Sequence, residues 1–77
     1  MKNLLTKIEI NPEICNGKPV VAGTRISVET ILEFLSAGDS MDDILTGYPG
    51  LTRDDILACL DYARRLGAVR SVSMAKA

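Results

Sequence analysis

The stretch Asn16-Gly17-Lys18-Pro19-Val20-Val21-Ala22-Gly23-Thr24-Arg25-Ile26, with Ser27 directly behind it, constrains the fold more than any other part of the chain. Glycine and proline punctuate it, so the backbone must turn there rather than continue a regular element. The β-branched pair Val20-Val21 suits a short strand, and a proline is tolerated at a strand's start or edge. Ser27 then offers an N-cap to the helix that follows. Upstream, Ile8-Glu9-Ile10 alternates like a half-buried strand and is stopped by Asn11-Pro12. These two strands can pair with each other or with their counterparts in a second copy. A two-stranded ribbon is marginal alone, so either pairing needs a helix or a partner chain to cover it.

Three helices follow. Val28, Ile31, Leu32 and Leu35 repeat at the spacing of one buried helical stripe, predicting a helix over 28–37 with Ile26 as a staple onto Ile31 and Gly38 as the stop. Ser40 with Asp43 predicts a short second helix over 41–46, with Met41, Ile44 and Leu45 inward and Gly47 closing it. Tyr48-Pro49-Gly50 is a turn no helix crosses. Thr52 with Asp55, and Leu51 with Ile56, predict a third helix over 53–66. Its apolar face is read as Ile56, Leu57, Leu60 and Ala63, and its stop as Gly67. The fold class is therefore mainly α: a short N-terminal β element of two strands, then a trihelical, helix-turn-helix-like bundle. One domain is expected, with a β arm over 1–26, a bundle over 27–67 and a flexible basic tail over 68–77.

Size sharpens this reading. At 77 residues with only three aromatics, Phe34, Tyr48 and Tyr62, the core must be small and aliphatic. Such a core gives marginal stability, which favours self-association. A homodimer is the expected state, with Ile8, Ile10, Val20 and Val21 as its interface. Cys15 and Cys59 lie far apart and histidine is absent, so the ligand set of a structural zinc site is missing. The opening Met1 to Lys7 has no sustained apolar run, and no segment has the length of a membrane span. A cytoplasmic chain with two free thiols is expected, Cys59 as a small buried hydrophobe.

The net charge of −1 conceals a partition. Residues 1–25 set Lys2, Lys7, Lys18 and Arg25 against Glu9 and Glu13, a net +2. Residues 26–63 set Arg53 against eight carboxylates, a net −7. Residues 64–77 carry Arg64, Arg65, Arg70 and Lys76 and no acid, a net +4. Five of the central acids (Glu29, Asp42, Asp43, Asp54 and Asp55) fall in first helical turns, where free backbone N–H groups and the helix dipole favour them. That accounts for them without a metal or an acid–base pair. Gly17 and Gly23 do not make a phosphate loop, because no Lys-Ser or Lys-Thr follows the second glycine. No catalytic, cofactor-binding or metal-ligating residue is predicted, and the chain reads as a non-enzyme.

Nucleic-acid binding through the third helix is disfavoured, because its first turn reads Thr52-Arg53-Asp54-Asp55 and phosphate attraction supplies most of such affinity. If DNA is bound, Lys7, Lys18 and Arg25 are the better cations. Arg25 has a structural alternative, an ion pair with Glu29, Glu33 or a carboxylate of a second copy. Arg64, Arg65 and Arg70 are either solvated cations completing a helix C-terminus or partner-binding residues, since guanidinium holds carboxylates bidentately.

The block from Ile10 to Val28, with Gly-Lys-Pro and Gly-Thr-Arg-Ile at its centre, closely resembles a small prokaryotic family, domain of unknown function 433. Gly38, Ser40, Ile44-Leu45, Tyr48-Pro49, Leu51-Thr52, Asp55-Ile56 and Tyr62-Ala63 extend the match to roughly residues 8–66. The resemblance implies a helix-turn-helix-like fold behind an N-terminal β element. It also implies the role of an antitoxin in a VapBC-type toxin–antitoxin pair, whose partner resembles a PIN-type ribonuclease with an acidic, magnesium-dependent site, with autorepression on operator DNA as a further expectation. It carries no catalytic residues to transfer. A stand-alone DNA-binding regulator and a structural oligomerising module are the alternatives.

Overall fold

A computed structural model describes residues 3–74 of the chain, with side chains over 3–67. A 3-10 turn at Leu4–Lys7 opens it, capped by the Asn3 side chain, which accepts from the Leu5 N–H at 3.2 Å. Strand β1 (Ile8–Glu9) pairs antiparallel with β2 (Val20–Val21), Ile8 opposite Val21 and Glu9 opposite Val20. The pairing is therefore made within one chain. Helices α1 (Val28–Ser36), α2 (Met41–Gly47) and α3 (Arg53–Met74) follow and pack on one another.

The signature stretch is built as a chain of turns. Cys15, Asn16 and Gly17 have successive φ values of +50°, +57° and +79°. Asparagine and glycine accept this left-handed region readily, whereas Cys15 is held in it against a steric penalty. The Cys15 thiol donates to the Arg25 carbonyl at 3.2 Å, tying this turn to the next. Beyond β2, the Thr24 N–H donates to the Val21 carbonyl at 3.0 Å with Gly23 at φ +79° between them. That is the third position of a type II turn, which selects glycine. The Thr24 hydroxyl donates to the same carbonyl at 2.8 Å and accepts the Ile26 N–H at 3.0 Å. The chain then doubles back: Val21 N–H donates to Ile26, Val28 N–H donates to Pro19, and Val20 bridges Ser27. Every residue from Gly23 to Ser27 thus has a structural job, Arg25 through its carbonyl alone among the bonds described.

The predicted caps form. Ser27 accepts from Thr30 at the head of α1. Gly38 (φ +101°) donates to Leu35, and Asp39 donates to Phe34, the paired bonds of a Schellman stop. Ser40 and Asp43 make a reciprocal capping box, as do Thr52 and Asp55. The Ser40 backbone N–H, and then its hydroxyl, hold the Asp43 carboxyl below the ordinary carboxylate range. The Leu51 N–H closes the proline turn onto Tyr48 at 2.9 Å.

The core is aliphatic: Val21, Val28, Ile31, Ile44, Leu51, Ile56 and Cys59 form its buried centre, with Phe34 and Tyr48 packed on its edge, ring centroids 5.9 Å apart. Burial, then the charge of Asp55, push the Cys59 thiol up to about 11, so it is a neutral packing group.

Several expectations need correction. Val20 and Val21 are buried inside the single chain at 0% and 2% exposure, so their side chains are withdrawn from any dimer interface; Ile8 is half-buried, and Ile10 alone of the four is open, at 60%. The third helix turns Ile56, Ala58 and Cys59 inward and leaves Leu57 and Leu60 partly exposed. Apolar residues at 56, 57, 59, 60 and 63 fit two overlapping stripes, and packing chooses the one containing the cysteine. Helix α3 also runs through Gly67, which keeps a helical backbone because glycine permits a C-cap without requiring one. The opening segment is not a bare lead-in either: its 3-10 turn lies against α3.

Candidate functional site

A groove of about 900 Å³ runs between α1 and the second half of α3. Its α1 wall is one helical face, Val28, Glu29, Leu32, Glu33, Ser36 and Ala37, residues three to four apart. Its α3 wall is Tyr62, Ala63, Leu66 and Gly67, and Lys18 and Pro19 close one end. Ser36, Ala37, Ala63 and Gly67 in the lining are small, so another backbone can come close to it. The apolar lining arises because the inward face of α3 outlasts the core. Ile56 and Cys59 are covered, whereas Leu66, two turns further along the same face, is 60% exposed.

The rim is charged. Lys18 pairs with Glu29 at 3.8 Å, both largely exposed. Glu33 is exposed and makes no ion pair among the described residues. On the flank of α3, Arg64 donates from Nε and Nη2 to Asp61 Oδ1 at 3.1 and 2.8 Å, and Arg65 Nε donates to Oδ2 at 2.9 Å. These hydrogen bonds, Arg64's first, lower the Asp61 pKa. Two guanidiniums share one carboxylate and stay 67% and 54% exposed, so the cluster keeps a net positive charge.

The predicted cations separate. Lys7 pairs with Asp55 at 3.8 Å and Lys18 with Glu29, while Arg25 is exposed and has no ion pair among the described residues. Glu29 thus goes to Lys18, not to Arg25. The structure builds no common site from Lys7, Lys18 and Arg25. Arg70 lies outside the described side chains. At the head of α3, Arg53 is held by Asp42 at 3.2 Å beside Asp54 and Asp55, so that turn offers phosphate little attraction. Among the described residues no three acidic or cysteine side chains converge as metal ligands, and no helix is long and apolar enough to cross a membrane.

The groove residues escaped sequence reading. Tyr62, Ala63 and Leu66 repeat at helical spacing, but that signal is the same whether the stripe is covered or open.

A family model described as protein of unknown function (DUF433) matches residues 8–63. The uncharacterized protein Rv2308 of Mycobacterium tuberculosis is 31% identical over 67 residues, 87% of this chain and 28% of its own length. The uncharacterized protein y4eO of Sinorhizobium fredii is 36% identical over 53 residues, 69% of this chain and 24% of its own. The chain thus spans about a quarter of these relatives. A crystal structure of a DUF433 member from Anabaena variabilis superposes with a TM-score of 0.76 at 30% identity, covering 90% of this chain and 68% of that one.

Proposed function

This chain belongs to the DUF433 family, and from its surface charge and the role that the family resemblance implies we infer that it is a non-enzymatic antitoxin that docks on and neutralises a PIN-type ribonuclease. The observation that carries this reading is the exposed anionic corner where α1 meets α2. Asp39, Asp42 and Asp43 all stand in solvent there, with Arg53 the one cation bound among them within the described residues. A ribonuclease grips RNA through a basic surround, and a rigid anionic surface of this kind competes for it by charge complementarity. Asp43 suits that role because its capping bonds keep it ionised well into acid.

The test is capture of the tagged chain from its native lysate, identification of what comes with it, and an RNA cleavage assay on the captured protein. The antitoxin reading expects a small magnesium-dependent ribonuclease in stoichiometric amount, with cleavage falling to background as the chain is titrated to equivalence. Reversing Asp39, Asp42 and Asp43 to lysine should release the nuclease. A nuclease fully active in the presence of excess chain overturns the reading. Duplex DNA captured instead, with affinity falling steeply in salt, replaces it with a DNA-binding regulator.

A further inference from the structure

We propose that the groove between α1 and α3 is filled by the α3 segment of a second copy of this chain, giving a two-fold dimer held by Leu66 and rimmed by Arg64, Arg65 and Glu33. The inference goes beyond the antitoxin reading and does not depend on it.

The groove calls for a particular occupant. Its walls are apolar, so the occupant needs an apolar stripe at helical spacing. Its α1 rim carries two carboxylates against the single Lys18, so the stripe should be flanked by cations. Ala37, Ala63 and Gly67 are among its lining residues, which suits the close approach of a helix backbone. One described segment of the chain meets all three conditions. Residues 62–66 of α3 present Tyr62, Ala63 and Leu66 along one face, and Arg64 and Arg65 form a cationic flank beside it. Both arginines hold the Asp61 carboxylate, so they stand together on one flank of the helix, Arg65 nearer the rim at roughly 110° from the centre of the stripe.

The same surface therefore holds both halves of the contact, which is the requirement of an isologous interface. Rotating one copy onto another sets each Leu66 in the other's groove and brings an arginine of each toward the other's Glu33. Among the described residues the leftover charges match: Glu33 on α1 makes no ion pair, and the Asp61 cluster has one more cation than carboxylate. Leu66, 60% exposed in the single chain, becomes buried. The interface sits on the helices and not on the β ribbon, whose valines the monomer already buries.

The experiment is sedimentation equilibrium or light scattering on the 77-residue chain alone, over micromolar to millimolar concentration. The expected species is a dimer of twice 8.3 kDa. Leu66→Glu should leave a monomer with an unchanged far-ultraviolet circular dichroism spectrum, since the side chain it replaces is exposed. Glu33→Lys, and separately Arg64→Glu with Arg65→Glu, should each weaken the dimer several-fold. Combining the three should restore it, an outcome that general loss of fold does not produce. A wild-type chain that stays monomeric at millimolar concentration overturns the proposal. So does a dimer that folded Leu66→Glu leaves intact, or one that the charge exchange fails to restore. No partner protein enters the measurement, so its failure leaves the antitoxin reading standing, and a chain that captures no nuclease leaves the dimer standing.

Discussion

Gly23 offers a clean test of how the signature stretch works. Its φ of +79° places it in the left-handed region, and a Cβ added there would meet no heavy atom within 4 Å. Replacing it with L-alanine therefore adds no clash, and the whole effect is conformational. The left-handed backbone costs an L-residue about 1–2 kcal/mol. Against this, alanine restricts the unfolded chain and returns about 0.4–1 kcal/mol. Gly23→Ala should be destabilising by the difference, on the order of 1 kcal/mol, which shifts the melting temperature of a domain this size down by about 4–8 °C. D-alanine, introduced by chemical ligation, keeps the unfolded-state gain and avoids the left-handed penalty, so it should stabilise the fold. The D variant should exceed the L variant by about 1–2 kcal/mol, because the unfolded-state term is common to both. Urea denaturation with a shared m-value reads the gap directly. Equal stability of the two variants would refute the argument, since it would mean that φ at residue 23 is not what selects glycine. A D-alanine chain that folds with full stability would also show that the motif is a turn and not a ligand loop needing free backbone approach.

Other expectations follow from the same geometry. Ile56→Ala, at 0% exposure in the core centre, should cost about 2–5 kcal/mol and leave much of the chain unfolded at 37 °C, whereas Leu57→Ala next to it should change the urea midpoint far less. Asp43→Asn should lower stability at pH 7, and the difference from wild type should disappear as pH falls through the folded Asp43 pKa. The sign follows because a depressed carboxylate contributes only where it is ionised, above its unfolded value near 3.8. In the native chain, iodoacetamide should label Cys15 and spare the fully buried Cys59 until urea unfolds it; rapid native labelling of Cys59 would contradict its burial. Between the unfolded thiol value near 9 and the folded value of about 11, stability should decline as pH rises, because the unfolded chain releases a proton that the folded chain keeps.

The antitoxin reading and the groove divide the surface between them. Asp39, Asp42 and Asp43 stand at the α1–α2 corner, while Glu29, Glu33, Tyr62 and Leu66 belong to the groove, so a partner and a second copy need not compete. The relatives are several times longer than the matched region, which places this fold as one part of larger chains in those proteins.

What was legible from residues alone was whatever depends on neighbours a few positions away. Ser27, Ser40, Thr52 and Gly38 mark helix ends because a cap closes within three or four residues. Gly23 with Thr24 and Tyr48 with Pro49 likewise mark turns closed by a single local bond. The β element, the trihelical order and the buried Cys59 followed from these marks and from hydrophobic spacing. Tertiary packing decided the rest. It chose which of two overlapping stripes on α3 faces inward, paired the strands within one chain, and gave the inside of the ribbon to Val20 and Val21. It also ended the core before Leu66, so one helical face is covered at Cys59 and open two turns later. Periodicity states that a face is apolar; only the arrangement of distant elements determines whether the chain itself covers that face.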